Sequence, residues 1–191
     1  RKRTKPFFLA ASLINPHDIC YQAIRESMVT DGEKQLISGG QKECAELDVA
    51  LKRPEGVSDE EFFSKYCPPV PSNFEPQLSE PEAIPIVLDK RPFRIRARRK
   101  WNEEEWRIHR WAYARLTERV DAQIGLVLES LRNAGLEKNT LVIFSSDHGD
   151  MDSAHRMEHK STLYEEACRI PFIICPPGDG EGGRVDSTHL V

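Results

Sequence analysis

Three unbroken apolar runs constrain this chain more than any other feature: Phe7–Ile14, Thr140–Phe144 and Ile170–Cys175. Continuous rather than alternating apolarity is the pattern of a strand covered on both faces, as in a parallel sheet flanked by helices. The first run ends at the turn signal Asn15-Pro-His-Asp18, the second at Ser145-Ser-Asp-His-Gly-Asp150, the third at Pro176-Pro-Gly178. Between the first two lies one strongly marked helix. Asn102 can cap it, and Glu103, Glu104 and Glu105 fill its first turn, where carboxylates suit the helix dipole. Leu116, Val120, Ile124, Val127 and Leu131 form an amphipathic stripe, and Asn133-Ala-Gly135 supplies a left-handed stop. Short helices are expected over 19–30 and Ser161–Ala167. The order strand, insertion, long helix, strand, helix, strand predicts an α/β fold with flanking helices.

From about Asp31 to Arg99 no period is sustained, and prolines stand at 54, 68, 69, 71, 76, 81, 85 and 92. Residues 31–100 therefore read as a long irregular insertion, with one short helix at Asp59–Lys65. A chain of 191 residues is long enough for one domain with a sizeable core. Three strands are few for a sheet buried on both faces, so residues 1–191 read as a single incomplete domain that begins in mid-fold. One sheet edge is expected to lie open.

Composition excludes several classes. A hydrophobic fraction of 39% and a formal charge of -4 fit neither a nucleic-acid binder nor a disordered tail. The longest apolar run, Pro6–Ile14, is strand-sized and far short of the ~18 residues a membrane span requires. Five cysteines without a Cys-x-x-Cys pair argue against a zinc cage or a dense disulfide framework. The basic stretch Lys90–Lys100 is followed by Glu103–Glu105 and reads as a solvated arm paired with them. Trp101, Trp106 and Trp111 read as helix packing.

The chemistry concentrates where strands end. Open α/β sheets bind ligands at the carboxyl ends of their strands, which places Asn15-Pro-His-Asp18 and Asp147-His-Gly-Asp150 on one rim. Asp147 and His148 offer a carboxylate oxygen and an imidazole nitrogen; a hard divalent cation favours the first, zinc the second. Two adjacent residues cannot complete a coordination shell, and a polar Asx-type turn is the other reading. His155 and His159 are four apart, so on a helix they would share a face and could hold zinc. Lys160 is either a surface lysine or a point charge for an anionic ester oxygen.

Thr140-Leu-Val-Ile-Phe-Ser-Ser-Asp-His-Gly-Asp150, then His155, Lys160 and Leu163-Tyr-Glu-Glu-Ala-Cys-Arg-Ile-Pro171, resemble the C-terminal signature of the sulfatase family. Lys5-Pro-Phe-Phe-Leu-Ala and Asn15-Pro-His-Asp18 are similar to its mid-domain strand and Pro-His turn. Tyr113, Val120-Asp121, Ile124-Gly125, Leu128 and Leu131 resemble its intervening helix. The resemblance implies a partial alkaline-phosphatase-like sheet and a calcium-dependent sulfuric ester hydrolase, of arylsulfatase type, acting on a sulfated small molecule or glycan. It implies that Asp147 and His148 are two ligands of one calcium ion, the second position being Asn in many relatives. His17 and Lys160 match the residues that contact the sulfate and assist leaving-group departure, and His155 matches a substrate-facing histidine of some relatives. Arg169 and Pro171 begin the next core strand.

The family nucleophile, a formylglycine made in a Cys/Ser-x-Pro/Ala-x-Arg motif, has no counterpart among the five cysteines. Cys67 opens Cys-Pro-Pro-Val-Pro and Cys168 opens Cys-Arg-Ile-Pro. The paired aspartates that supply further calcium ligands are absent too. The resemblance places both before residue 1, so this polypeptide alone is expected to lack turnover. It also implies a periplasmic, secreted or lysosomal setting. A phosphonate monoester or phosphodiester hydrolase of the same superfamily, and a non-catalytic anion-binding module, remain open at this stage. The second reading of the basic stretch Lys90–Lys100 is a rim that attracts a polyanionic sulfated glycan through bidentate arginine contacts.

Overall fold

The computed structural model describes residues 5–178 and 183–187. Helix α7, Glu103–Asn133, is the longest element, and its ends follow from the sequence. Asn102 accepts from the Glu105 N–H at 2.9 Å while the Glu105 carboxylate accepts from the Asn102 N–H at 2.6 Å, a reciprocal capping box. Gly135 follows its end at φ +67, a conformation that suits glycine. The first half of α7 organises the core. Trp106 is fully enclosed among Trp101, Phe74, Phe93, Ala97, Ala23 and Ile24. Ala112 and Leu116 pack with Ile19, Leu47 and Ala50, and Trp111 packs edge-on against Phe62 at 5.2 Å. All three tryptophans are thus packing residues. The apolar stripe opens toward solvent in the second half, where Val127 is 38% exposed.

Residues 31–100 are not an irregular insertion. They contain α2 (Asp31–Gly39), α3 (Gln41–Ala50), a single turn α4 (Asp59–Glu61) running into a π turn (Phe62–Tyr66), α5 (Ala83–Asp89) and α6 (Pro92–Lys100), all after α1 (Cys20–Ser27). Six of the eight prolines that argued against helix lie between the helices, and the other two, Pro85 and Pro92, fall in first turns. Pro92 opens α6, where its missing N–H is one that would have no intrahelical partner. Thr30 and Glu33 form a second capping box at α2. Glu33 is buried, and its carboxylate also accepts the Phe93 N–H at 3.1 Å, joining α2 to the start of α6.

The described residues are mostly helical, with one two-stranded sheet. Strand β1, Val142–Ser145, pairs antiparallel with β2, Phe172–Cys175, in the register Val142↔Cys175 to Ser145↔Phe172. The expected parallel arrangement is corrected in this pair, and Phe7–Ile14 forms no strand. An apolar run becomes a strand only where a neighbour completes its ladder, and here Phe8, Leu9 and Ile14 are open to solvent. Both β1 and β2 also present apolar side chains outward, Ile143 and Ile174 among them. The short helix expected at Ser161–Ala167 is the single turn α8, Glu165–Cys168. No helix among the described residues is long and apolar enough to cross a membrane.

Candidate active site

Two loops carry the site. The first follows β1. Asp147 lies just beyond the strand, and its Oδ1 accepts from the His148 N–H at 3.1 Å. Gly149 makes the loop possible: its N–H donates to the Ala167 carbonyl at 2.8 Å, and a side chain there would run into the Glu166 carbonyl oxygen. The second is the turn Asn15-Pro-His-Asp18, whose Asn15–Pro16 bond is cis. Asn15 Oδ1 accepts from the Asp18 N–H at 3.2 Å, three residues on, which holds the turn closed ahead of α1.

These loops meet. Lys160 Nζ lies 2.7 Å from His17 Nδ1, across 143 residues of chain. An ammonium has only donors, so Nδ1 accepts and the neutral imidazole carries its proton on Nε2. Desolvation and then the Lys160 charge hold the His17 imidazole below its usual value, and Asp147 and His148 act on it as well. Desolvation opposes ionisation of Asp147, yet His148, the loop N–H groups and Lys160 outweigh it and hold the carboxyl below its usual range. Four of the five residues singled out from sequence, His17, Asp147, His148 and Lys160, are therefore one electrostatic neighbourhood. Burial pushes the Asp150 carboxyl up to about 7.

His155 is engaged elsewhere. It is only 6% exposed, its ring stacks on Tyr164 at 4.3 Å, and its N–H donates to the Asn73 carbonyl at 2.9 Å. The premise that His155 and His159 share a helical face does not hold, because His155 sits at φ 53 within a tight turn. Asp152, Ser153, His155 and Arg156 all have positive φ, so the loop leading to Lys160 is held in a strained shape. What holds it is a buried cluster of Met151, Ala154 and Met157 with Ile84 and Leu88. A clamp assists from outside: Arg156 pairs with Glu75 at 2.7 Å, and Asn73 bonds to Glu166. Glu158, two residues before Lys160, is fully buried with neither carboxylate oxygen hydrogen-bonded; His159 Nδ1 approaches it at 3.3 Å.

Asp147 is an exposed carboxylate of the kind calcium accepts, and His148 Nε2 lies 3.4 Å from its Oδ2. Calcium takes six to eight oxygen ligands. Among the described residues no group of three His, Cys, Asp or Glu side chains is arranged to hold a metal. Asp147 and His148 alone would supply only a fraction of such a shell. Sequence reasoning missed Arg94, which reaches from α6 to Ser161 beside Lys160 at 3.4 Å. Its only signal was membership of the basic stretch. That stretch is not paired with Glu103–Glu105 as expected: Arg98 pairs with Glu80 at 2.6 Å, and Glu105 caps α7.

His17, Lys160, Asp147 and His148 thus come together where the turn before α1 meets the loop after β1. The chain belongs to the Sulfatase family, whose profile matches residues 1–189. It is 28% identical over 177 residues to a Delta 4,5-hexuronate-2-O-sulfatase of Bacteroides thetaiotaomicron, a match covering 91% of this chain and 31% of that protein. It is 35% identical over 89 residues to Arylsulfatase K of Bos taurus, covering 47% of this chain and 16% of that one. The solved structure of a 2-O GAG sulfatase shares the fold with a TM-score of 0.53 at 23% identity, over 91% of this chain and 38% of that chain. The chain spans about a third of the length of the hexuronate sulfatase it matches.

Proposed function

We propose that this chain supplies the sulfate-binding and leaving-group side of a sulfate-ester hydrolase whose substrate is a sulfated uronate or related sulfated glycan. The observation that carries the reading is the 2.7 Å contact between Lys160 Nζ and His17 Nδ1. Lys160 fixes the imidazole tautomer and adds positive charge where an ester oxygen becomes negative. His17, neutral and protonated on Nε2, hydrogen-bonds the leaving oxygen through that N–H; as the bond to sulfur breaks the Nε2 proton passes to the oxygen while the Lys160 ammonium gives a proton to Nδ1, so the ring stays neutral. Asp147 and His148 hold part of a calcium shell completed by residues outside this chain. When bound, that cation polarises a sulfate oxygen as a Lewis acid. His155 is assigned to the site as the support of the loop beneath Lys160 rather than as a direct substrate contact. The substrate class follows from the chain's likeness to a hexuronate sulfatase.

The test uses the full natural protein with 4-nitrophenyl sulfate and a 2-O-sulfated uronate. Lys160→Ala and His17→Ala should each lower kcat by about 100-fold or more, with little change in thermal stability. A wild-type protein that hydrolyses phosphodiesters and no sulfate ester would overturn the reading, as would either variant with full activity. The 191-residue chain on its own should show no turnover.

A further inference from the structure

The Lys90–Lys100 run is a strong charge feature that the His17–Lys160 pair leaves unused. In the fold it forms α6 and the two residues ahead of it. Two of its arginines have partners, Arg98 in Glu80 and Arg94 in Ser161. The other five cations, Lys90, Arg91, Arg96, Arg99 and Lys100, are exposed. Among the described residues none of these five forms an ion pair or a side-chain hydrogen bond. The helix itself accounts for few of them. Its dipole favours Arg99 and Lys100 in the last turn but opposes Lys90 and Arg91 at the N-terminal end, and no acid in the first turn offsets those two. Arg96 repels Arg99 and Lys100 at spacings of three and four residues, like-charge pairs that weaken a helix.

These cations border two clefts that share Pro92. One, of about 480 Å³, lies between Lys90 and Arg91 and the first turns of α2. The other, of about 300 Å³, is bordered by Arg96, Arg99 and Lys100, with Val29, Pro92 and Ile95 as its apolar lining. No carboxylate lines this second cleft. Glu33 in the first is committed to the N–H groups of Val29, Thr30 and Phe93. Glu26, on which Arg96 acts, accepts from the Trp101 indole N–H at 2.5 Å. Adjoining clefts with apolar linings and unpaired cations suit a run of sugar rings that carry sulfates, because the guanidinium fork matches an oxyanion. A single-stranded nucleic acid fits less well, since its bases stack on exposed aromatic rings. Among the residues lining the two clefts the sole aromatic, Phe93, is buried. We propose that the two clefts along α6 form a binding surface for an extended sulfated glycan chain, holding sulfates other than the ester that is cleaved. Their linings include none of His17, Asp147, His148 and Lys160. The choice of a glycan rests on the sulfate-ester reading above, whereas binding is measured without turnover.

The test uses the full natural protein in calorimetry at low salt. The probe is a chondroitin sulfate octasaccharide, with its desulfated counterpart and a duplex DNA of equal charge as controls. The sulfated chain should bind at least about tenfold more tightly than either control. A variant carrying Arg96→Ser, Arg99→Ser and Lys100→Ser should weaken that binding by about tenfold or more and flatten its dependence on salt. Its kcat/KM for 4-nitrophenyl sulfate, which is too small to reach the clefts from the ester site, should stay unchanged. Lys90→Ser with Arg91→Ser, at the other end of the surface, should weaken the octasaccharide in the same way, and this variant decides the matter should the first one unfold. Octasaccharide binding that both variants leave intact would overturn the proposal, as would DNA or the desulfated chain binding as tightly as the sulfated one. Should the wild type turn over no sulfate ester, the functional reading fails by itself, and the binding measurements still judge the surface.

Discussion

His109 makes the fold sensitive to acid in a way that can be worked out from its surroundings. It lies on α7, fully enclosed, with ring centroids 5.4 Å from Trp101 and 6.1 Å from Trp106. Its Nδ1 is 3.2 Å from Gln22 Oε1, so Nδ1 carries the proton and donates. The unprotonated Nε2 is enclosed without a partner. Protonating it would bury a cation, and burial accordingly lowers the pKa from 6.5 to about 4, against a smaller opposing effect of Glu158. The folded value lies below the unfolded one, so the unfolded chain takes up the proton first as pH falls. Stability is therefore complete above about pH 6.5 and declines until about pH 4. The difference amounts to roughly 3 kcal/mol at about 1.4 kcal/mol per pH unit.

The perturbation is His109→Gln, which removes the titration and keeps a group able to bond Gln22. Urea unfolding of the full natural protein at several pH values between 7 and 4 can be followed by the fluorescence of the flanking tryptophans. The stability advantage of wild type over variant should shrink by roughly 3 kcal/mol across that range. Only the difference is diagnostic. Asp150, pushed up to about 7, titrates with the opposite sign, since its contribution is present at low pH and lost as pH rises toward 7. Both proteins carry that contribution, so it cancels. A difference that stays constant from pH 7 to pH 4 would refute the reasoning.

Three further outcomes are expected. Gly149→Ala should cost roughly 1–3 kcal/mol and lower activity together, because the new methyl meets the Glu166 carbonyl and displaces the Asp147–His148 loop; thermal unfolding alongside kcat measures both. Asp147→Asn should weaken calcium binding by about tenfold or more in calorimetry of the full natural protein, and unaltered affinity would remove Asp147 from the shell. Glu33→Ala strands the N–H groups of Val29, Thr30 and Phe93 and should cost about 2 kcal/mol or more in urea unfolding. A change within 0.5 kcal/mol or so would show that water replaces the carboxylate there.

Helix α7 was legible because cap, first-turn charge, stripe and stop all agree within one stretch of sequence. Helix α2 has a cap of the same kind in Thr30-x-x-Glu33 and α3 has none, and neither carries an apolar stripe that would mark it in the sequence. Their stability comes instead from single deep contacts, such as Leu47 in the α7 groove and Glu33 against Phe93. The run Phe7–Ile14 misled in the opposite direction. Its apolarity is as strong as that of β1, but strand formation depends on a neighbouring ladder, which the run's own composition does not report.

The site divides along the same line. Asp147 and His148 were legible because a strand end fixes where a loop can place them. His17 and Lys160 stand 143 residues apart, so no periodicity links them, and only the resemblance to sulfatases put them together in advance. Glu158 and Arg94 had no motif at all, since a buried or half-buried charge is defined by what surrounds it in space. Yet the strained loop that carries Lys160 explains why such residues gather there. Four positive-φ residues without a glycine must be held from several sides: by Arg156 on Glu75, Asn73 on Glu166, and the Met151–Met157 cluster. The segment misread as an irregular insertion supplies Asn73, Glu75, Ile84, Leu88 and Arg94. It is therefore the scaffold that fixes Lys160 against His17.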